Sequence, residues 1–481
     1  MNATNTPSIK MTVIGLGQAG NRIANVFAKV EYKDRTPVYN CLAINSNTAD
    51  LKDLEYIKDA NKLDLMLGGL GKNPEKAIQI LEENSKVNEL IHDFIQNKIR
   101  DDDDLVLFTA GLGGGTGTAA IIKCLREFAK IHNTPVIQEE LTKIVKSIGE
   151  QEYVKDKKKY VRLAVKQAKE NPKFKKIGIV VTLPVRSDGP DTLRQVNHFA
   201  QEIWKMTKTA NLGISFTIFA DNQLFSDQFR ALKTSNFDNY RDYANEQIFR
   251  IINDLNFATN RGGSSVVMDS ADFRRIVHEG MGCLVLNKVS RNVEGVVSGA
   301  VIENMILESM KGSFLHDPIQ LENEDGSQAK IHHVGVLAIL DNKADQISTS
   351  FLDDARDKIF KNFFLEGTIF TGYLIEKGNY NVTVYTLFKA DALPTRLSTG
   401  LVEEYQQYQA KKKEVTYKEV EIARIEAAAA DDFDDDVAID LDFLGIEDEI
   451  EETKPEEIQE SNLNLLDDIN LDYDDIKDGD L

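Results

Sequence analysis

Between Leu105 and Ala120 the chain reads LVLFTAGLGGGTGTAA. A short apolar run of the buried-strand type meets Gly111, Gly113, Gly114, Gly115 and Gly117, broken by Leu112 and Thr116. A helix-compatible run, TAAIIKCLREFAK, follows. Ordering this many glycines costs conformational entropy, and a plain strand-to-helix turn gains nothing from them. Without β-carbons the loop can press its backbone against a ligand. Its N–H groups and the helix N-terminus offer partial positive charge to a phosphate, and Thr116 and Thr118 add hydroxyl donors. No Gly-Lys-Ser/Thr follows, so this is not a Walker loop.

A second glycine loop lies upstream. KMTVIG reads as a buried strand running into Gly15-Leu16-Gly17-Gln18-Ala19-Gly20-Asn21-Arg22 and an apolar helix. Gly15, Gly17 and Gly20 match G-x-G-x-x-G, which on its own suits a dinucleotide-binding Rossmann domain. That domain wants a carboxylate at the end of its second strand for the ribose. Here VYNCLAI ends at Asn45, and an amide cannot accept two hydroxyl bonds as a carboxylate does. Nor does a dinucleotide fold explain a richer glycine loop after a later strand.

GGGTGT resembles the phosphate loop of the tubulin/FtsZ family, GQAGNRI the first nucleotide loop of tubulins, and NSNTADL, from Asn45, the second loop of FtsZ. LMLGGLGKNPEKAIQILEEN places a flexible loop, with Gly68, Gly69 and Gly71, before a helix starting near Pro74; the resemblance makes Gly71 part of a terminal-phosphate sensor. After the strand IGIVVTLP, Asp188 is in register with an acidic residue that can meet the ribose. GISFTIFA leads into Asp221-Asn222-Gln223-Leu224, similar to the tubulin Asp-Asn-x-x-Leu whose Asn reads the purine edge. An amide supplies a donor and an acceptor there, so Asn222 takes that role. Asn245, on a helix from about Asn239, falls where the family again reads guanine, with Arg22 assisting.

SSVVMDSADFRRIVHEGMGC resembles an FtsZ segment with paired aspartates. Asp269 and Asp272 lie three apart and share a face at a helix start. Read alone, they are an N-cap and ordinary first-turn charge. The resemblance makes them catalytic instead, acting on a neighbouring subunit's nucleotide. Val267 departs from the pattern, standing where FtsZ proteins commonly have Asn, which bears on how the attacking water is polarised.

The resemblance spans about residues 9–395, in order, and looks most like the TubZ branch of plasmid and phage proteins. It implies an α/β fold: a Rossmann-like GTP-binding domain with a parallel sheet at 9–238, a central helix at 239–260 and a smaller α+β second domain at 261–395. A long C-terminal helix at 396–430 and an acidic disordered tail at 431–481 follow. Residues 1–8 read as a loose arm. Residues 131–176 are longer than the family usually allows and read as two helices, the second rich in lysine. Asp101 to Asp104 read as a solvated turn. His278, His332 and His333 show no metal-ligand spacing and read as structural or exposed.

The formal charge of −21 is concentrated in one place. From Asp431 to Leu481 there are 22 acidic residues and two lysines, so the rest of the chain, with 56 acidic and 55 basic residues, is nearly neutral. The tail interleaves acids with Leu, Ile, Phe and Tyr. High charge without a packing period implies disorder, and the apolar residues imply a segment that folds on a partner. Cys41, Cys124 and Cys283 are too few and too far apart for a disulfide framework and read as core. No apolar run of membrane-spanning length and no basic-then-apolar leader is seen, so a cytoplasmic location is expected.

The resemblance therefore implies a GTPase binding GTP or GDP with Mg2+. Gln18, Ala19 and Gly111 to Thr118 would hold the phosphates. It would polymerise head-to-tail, each site completed by the next subunit. The role it implies is plasmid or phage DNA positioning through a DNA-binding adaptor held by the C-terminal helix or tail, with no direct contact to nucleic acid or membrane. The alternatives are an FtsZ-type division protein and a non-polymerising nucleotide-binding regulator.

Overall fold

The computed structural model describes residues 2–3, 6–68, 70–71, 73–261, 268–312, 314–322, 326–344, 347–348 and 350–414. Its strands are β1 Asn2–Ala3, β2 Met11–Leu16, β3 Glu31–Tyr32, β4 Asn40–Asn45, β5 Lys62–Asp64, β6 Leu105–Gly111, β7 Lys176–Leu183, β8 Ile214–Asp221, β9 Cys283–Asn292, β10 Ile331–Asp341, β11 Ile369–Glu376 and β12 Asn381–Ala390. The helices are α1 Gly17–Phe27, α2 Thr48–Lys52, α3 Pro74–Glu83, α4 Ser85–Lys98, α5 Gly115–Phe128, α6 Thr134–Ile148, α7 Glu150–Lys155, α8 Lys157–Glu170, α9 Pro190–Thr207, α10 Asn222–Ala231, α11 Tyr240–Ala258, α12 Ser270–His278, α13 Gly299–Lys311, α14 Phe351–Asn362 and α15 Leu401–Glu414.

Ten strands form one sheet in the order β11-β10-β12-β9-β8-β7-β6-β2-β4-β5. From β5 to β8 every pairing is parallel. Taken in chain order, these six strands have the doubly wound order 3-2-1-4-5-6. The chain leaves β2 in one direction and returns on its other side at β6, so the crossover reverses between these two strands. Ligands of open α/β sheets bind there, outside the carboxyl ends of the strands. β2, β6 and β7 are almost wholly buried apolar runs, because helices cover both faces of a parallel sheet. On one face α3, α4, α5 and α9 bury Leu81, Ile91, Leu125 and Val196. On the other, α1 and α11 bury Ile23, Phe27, Ile248 and Leu255.

The second half joins the first through a single parallel pair, Thr217 with Cys283. There β9, β12 and β10 are antiparallel, and β11 pairs parallel at the edge. Helix α11 runs through the junction. Ile248, Ile251 and Leu255 share one buried cluster with Phe27 of the first half and Leu284, Leu337 and Leu387 of the second. Phe27 meets Tyr39 and Phe249 edge-on at 5.3 and 5.1 Å between ring centroids. Helices α13 and α14 cover the opposite face of the second half.

Several expectations need correcting. The N-terminal arm is tied down from Thr6 onward. Asn260 donates to Thr6, and Ser8 is buried with its Oγ 2.7 Å from Thr259 Oγ1. The 131–176 segment holds three helices rather than two, because Asp156 leaves helical geometry and its carboxylate accepts from Lys159 N–H, capping α8 anew. Nor is Asp101 to Asp104 merely a solvated turn: Asp103 is buried, bonded to Thr12 Oγ1 and paired with Arg100. The C-terminal helix opens with a π-turn at Arg396–Gly400 and is described as far as Glu414; the rest of that helix and the acidic tail lie outside the described residues. All three cysteines are buried and free, as expected. Among the described residues no helix is long and apolar enough to cross a membrane.

Candidate functional site

Two glycine loops meet where the sheet reverses direction. Gly17 has φ +66°, and a β-carbon there would stand 2.7 Å from Gly117 Cα and N. Gly17 thus lets the first loop rest on the second. Gly20 closes against the backbone of Thr109 in β6, leaving no room for a side chain. By contrast, a β-carbon on Gly114 would meet nothing within 4 Å, so bare backbone faces open space there.

That space is a cleft of about 350 Å³. Gln18, Ala19, Asn45, Gly71, Gly111, Gly113, Gly114, Gly115, Thr116, Gly117, Asp188 and Asn222 all line it. The topology therefore gathers twelve of the predicted contacts, drawn from six separate loops. Helices α1 and α5 both start at the cleft, and neither has a side-chain cap. Helix α9, which begins just after Asp188, lacks one too, whereas α2, α10 and α11 are capped by Asn47, Asp221 and Asn239. Uncapped first-turn N–H groups are orphan donors, and an anion supplies the missing acceptor. The Gly115 N–H donates to the Gly71 carbonyl at 3.1 Å, which ties Gly71 to the start of α5 at the rim of the cleft.

Four predicted residues take other places. Thr118 does not line the cleft, and its hydroxyl is engaged within the loop. Its Oγ1 donates inward to the Leu112 and Gly114 carbonyls at 3.0 and 2.7 Å, fixing the loop's shape. Gly17 is a packing contact between loops rather than lining. Arg22, half-buried further along α1, and Asn245, buried to 8% exposure on α11, do not line the cleft.

Other residues do line it without having been anticipated, among them Ser46, Asp50, Thr182 and Arg241. Ser46 Oγ shares a 2.7 Å hydrogen bond with Thr116 Oγ1. Asp50 accepts from Asn45 Nδ2 at 3.0 Å and Gln18 Nε2 at 3.4 Å, and so orients both amides. Arg241 is the cation among the described lining residues and stacks on Tyr240, 4.8 Å from its ring centroid. Burial raises the Tyr240 hydroxyl above its ordinary range. The one signal for these two in the sequence was the Asn239 cap, which fixes where α11 starts. Among the described residues no group of three or more His, Cys, Asp or Glu is arranged to hold a metal ion.

The paired aspartates stand elsewhere. Asp269 caps α12, accepting from Ala271 and Asp272 N–H at 2.8 and 2.9 Å, and Asp272 accepts back from Asp269 N–H at 3.2 Å. Partial burial holds the Asp272 carboxyl above the usual carboxylate range. Arg274, on the same helix, bonds the Ser8 carbonyl and Asp104. This fixes α12 beside the start of β2 and β6, whereas the glycine loops follow their ends. The separation is one strand length, roughly 20 Å at about 3.3 Å per residue. Val267 lies outside the described residues. The three histidines are structural: His333 Nε2 meets Glu279 at 2.8 Å and its Nδ1 accepts from Thr368 N–H, while His278 and His332 have buried ring nitrogens beside β8 and β10.

Residues 254–399 match the family model of the tubulin/FtsZ-like protein TubZ-like C-terminal domain. Over 137 residues the chain is 32% identical to the tubulin-like protein CetZ3 of Haloferax volcanii, covering 27% of this chain and 34% of that protein. It therefore spans about a third of the length of that curated relative. A GTPγS-form protofilament of TubZ from Bacillus thuringiensis serovar israelensis superposes with a TM-score of 0.62 at 19% identity, covering 85% of this chain and 93% of that one. A TubZ described as a type III plasmid segregation protein gives 0.59 at 18% identity, covering 86% and 96%. At these identities the structural likeness establishes the fold.

Proposed function

The chain is a tubulin/FtsZ superfamily protein near TubZ and CetZ, and from that premise we propose that it is a GTPase that assembles head-to-tail into filaments. The observation that carries the reading is the separation of parts. The cleft has glycine amides, uncapped helix starts and the Asn45 and Asn222 side-chain amides, while the aspartate pair sits at the other end of the same strands. Stacked head-to-tail, one subunit's α12 meets the next subunit's cleft. A heterologous contact of this kind does not close on itself and builds open filaments.

Gly111 to Gly117, Gln18 and Ala19 hold the phosphates through backbone N–H groups, and Gly71 follows the terminal phosphate. Asn222 reads the purine edge and Asp188 faces the ribose. Asp50 keeps the Gln18 and Asn45 amides pointed into the cleft. A magnesium ion bound with the nucleotide would offset phosphate charge, drawing most of its oxygens from phosphate and water, with Asp50 the carboxylate on the α2 side. The neighbour's Asp269 and Asp272 position the attacking water, and phosphoryl transfer needs little else from the protein than such positioning and charge stabilisation.

The finer role we propose is DNA positioning through a basic DNA-bound adaptor gripped by the acidic tail, whose charge repels bare DNA. Light scattering and phosphate release over a protein dilution series test the filament GTPase. Scattering should rise with GTP and not with GDP, and turnover per molecule should fall steeply below the assembly concentration. Constant turnover in monomeric protein would remove the shared site.

A further inference from the structure

The wall of the cleft that carries Asp188 and Asn222 is tied to the C-terminal helix by buried charge. Arg396, in the π-turn leading into α15, is 2% exposed. Its Nη1 donates to the Pro184 carbonyl at 2.8 Å and pairs with the equally buried Asp221 carboxylate. Its Nε and Nη2 make a two-pronged contact with Glu404 at 3.1 and 3.0 Å. Glu404 Oε1 also accepts from Arg186 Nε at 2.9 Å, and Arg186 N–H donates to Gln223 Oε1 at 2.9 Å. Asp221 caps α10 by accepting from Gln223 N–H at 2.9 Å. Two arginines and two carboxylates thus form a neutral cluster drawn from three distant parts of the chain. Pro184, Asp188 and Asn222 face the cleft, and the charges sit directly behind them.

Burying an ion pair is weak evidence for stability, since desolvation offsets much of the attraction. A planar guanidinium does fix geometry, because its donors lie in a rigid fork. Here the fork determines where the 184–188 turn stands relative to the start of α10. Leu397 and Leu401 continue the contact by packing with Leu193 and Val196 of α9, the helix that begins after Asp188.

We infer that Arg396 is a positioning residue for the nucleoside half of the site, and that docking of α15 and binding of the nucleoside are thermodynamically coupled. The inference rests on the nucleotide reading of the cleft and adds a regulator to it. Any partner that displaces α15 loosens the base and ribose wall while leaving the glycine loops intact. Linkage requires the converse as well: nucleoside binding tightens α15.

Two probes separate the halves in the full chain: GDP, which needs both, and inorganic tripolyphosphate, which needs only the glycine loops. Arg396→Lys should weaken GDP by about tenfold, within the usual range of coupling between sites, and leave tripolyphosphate affinity unchanged. Glu404→Gln, which spares the Arg396–Asp221 pair, should weaken GDP less and covers the case in which Arg396→Lys fails to fold. In wild-type protein, GDP should slow hydrogen exchange across residues 401–414 and tripolyphosphate should not. Equal losses for both probes, unchanged GDP affinity in the variants, or α15 exchange indifferent to GDP would each overturn the coupling. If wild-type protein binds GDP and the variants bind it equally well, only this inference fails. If wild-type protein binds no guanine nucleotide, the reading of the cleft fails with it.

Discussion

At Gly20 a β-carbon would collide with the Thr109 carbonyl in β6, whereas at Gly114 it would meet no protein atom within 4 Å. The two glycines share a residue type and differ in purpose. Gly20→Ala should cost about 3 kcal/mol or more, because the obstacle is backbone that cannot move aside. Gly114→Ala should leave the melting temperature unchanged and weaken nucleotide by about tenfold, or about 1.4 kcal/mol. Thermal melts with and without GDP check both. Titration gives a second test. Burial pushes His278 down to about 3, with help from nearby Lys389, Lys176 and Arg274, and lowers His132 and His316 as well. These groups bind fewer protons folded than unfolded below the ordinary histidine range, so their contribution is present above about pH 6.5 and is lost as pH falls. Asp221 acts in the opposite sense, since burial raises it to about 6 and its ionisation costs stability as pH rises toward that value. Stability measured from pH 7 to 4 should fall in wild-type protein, and less in His278→Gln; an equal fall in both would remove His278 from the account.

At the scale of elements, helices α6 to α8 carry a core of their own, with Ile137, Leu141, Tyr160 and Val165 packed together. Asn133 fastens their root. Its amide donates to the Lys175 and Leu212 carbonyls at 3.1 and 2.9 Å and accepts from Lys175 N–H at 2.9 Å. Asn133→Ala leaves those buried groups unanswered and should cost about 2–3 kcal/mol, read by urea denaturation. The start of α6 was legible in the sequence from its apolar spacing. The break at Asp156 was not, because a cap inside a lysine-rich run leaves the helical pattern intact on either side. At α12, the bland and the catalytic readings of the aspartates are compatible, since Asp269 is a cap whatever else it does. Asp269→Ala would lose the cap, worth about 1 kcal/mol, and confuse the two roles. Asp269→Asn keeps a good cap and removes the charge. It should melt like wild-type protein, assemble with GTP and release phosphate at least tenfold more slowly, by about 1.4 kcal/mol in barrier. Normal turnover in that variant would end the proposed role.

In the whole molecule, the doubly wound order puts both glycine loops at the carboxyl ends of β2 and β6 and α12 at their starts. The cleft and the aspartate pair are therefore kept apart by the sheet's own length, and the proposed filament would bring them together. Deleting residues 431–481 should leave GTP-dependent assembly intact and abolish adaptor binding. Loss of scattering in the truncated chain would make the tail part of the filament instead.

The sequence by itself determined the site's backbone: two glycine loops after two buried strands, the helices that follow them, and the amides that end the later strands. Glycine spacing, strand patterning and caps act over a few residues and are readable wherever they occur. The tertiary structure decided what each side chain meets. It turned Thr118 inward, buried Asp103 against Thr12, brought Asp50 and Arg241 to the cleft and joined Arg396 to Asp221. Those partners are separated along the chain or set by direction around a helix, and a hydrogen bond depends on where two atoms finally stand.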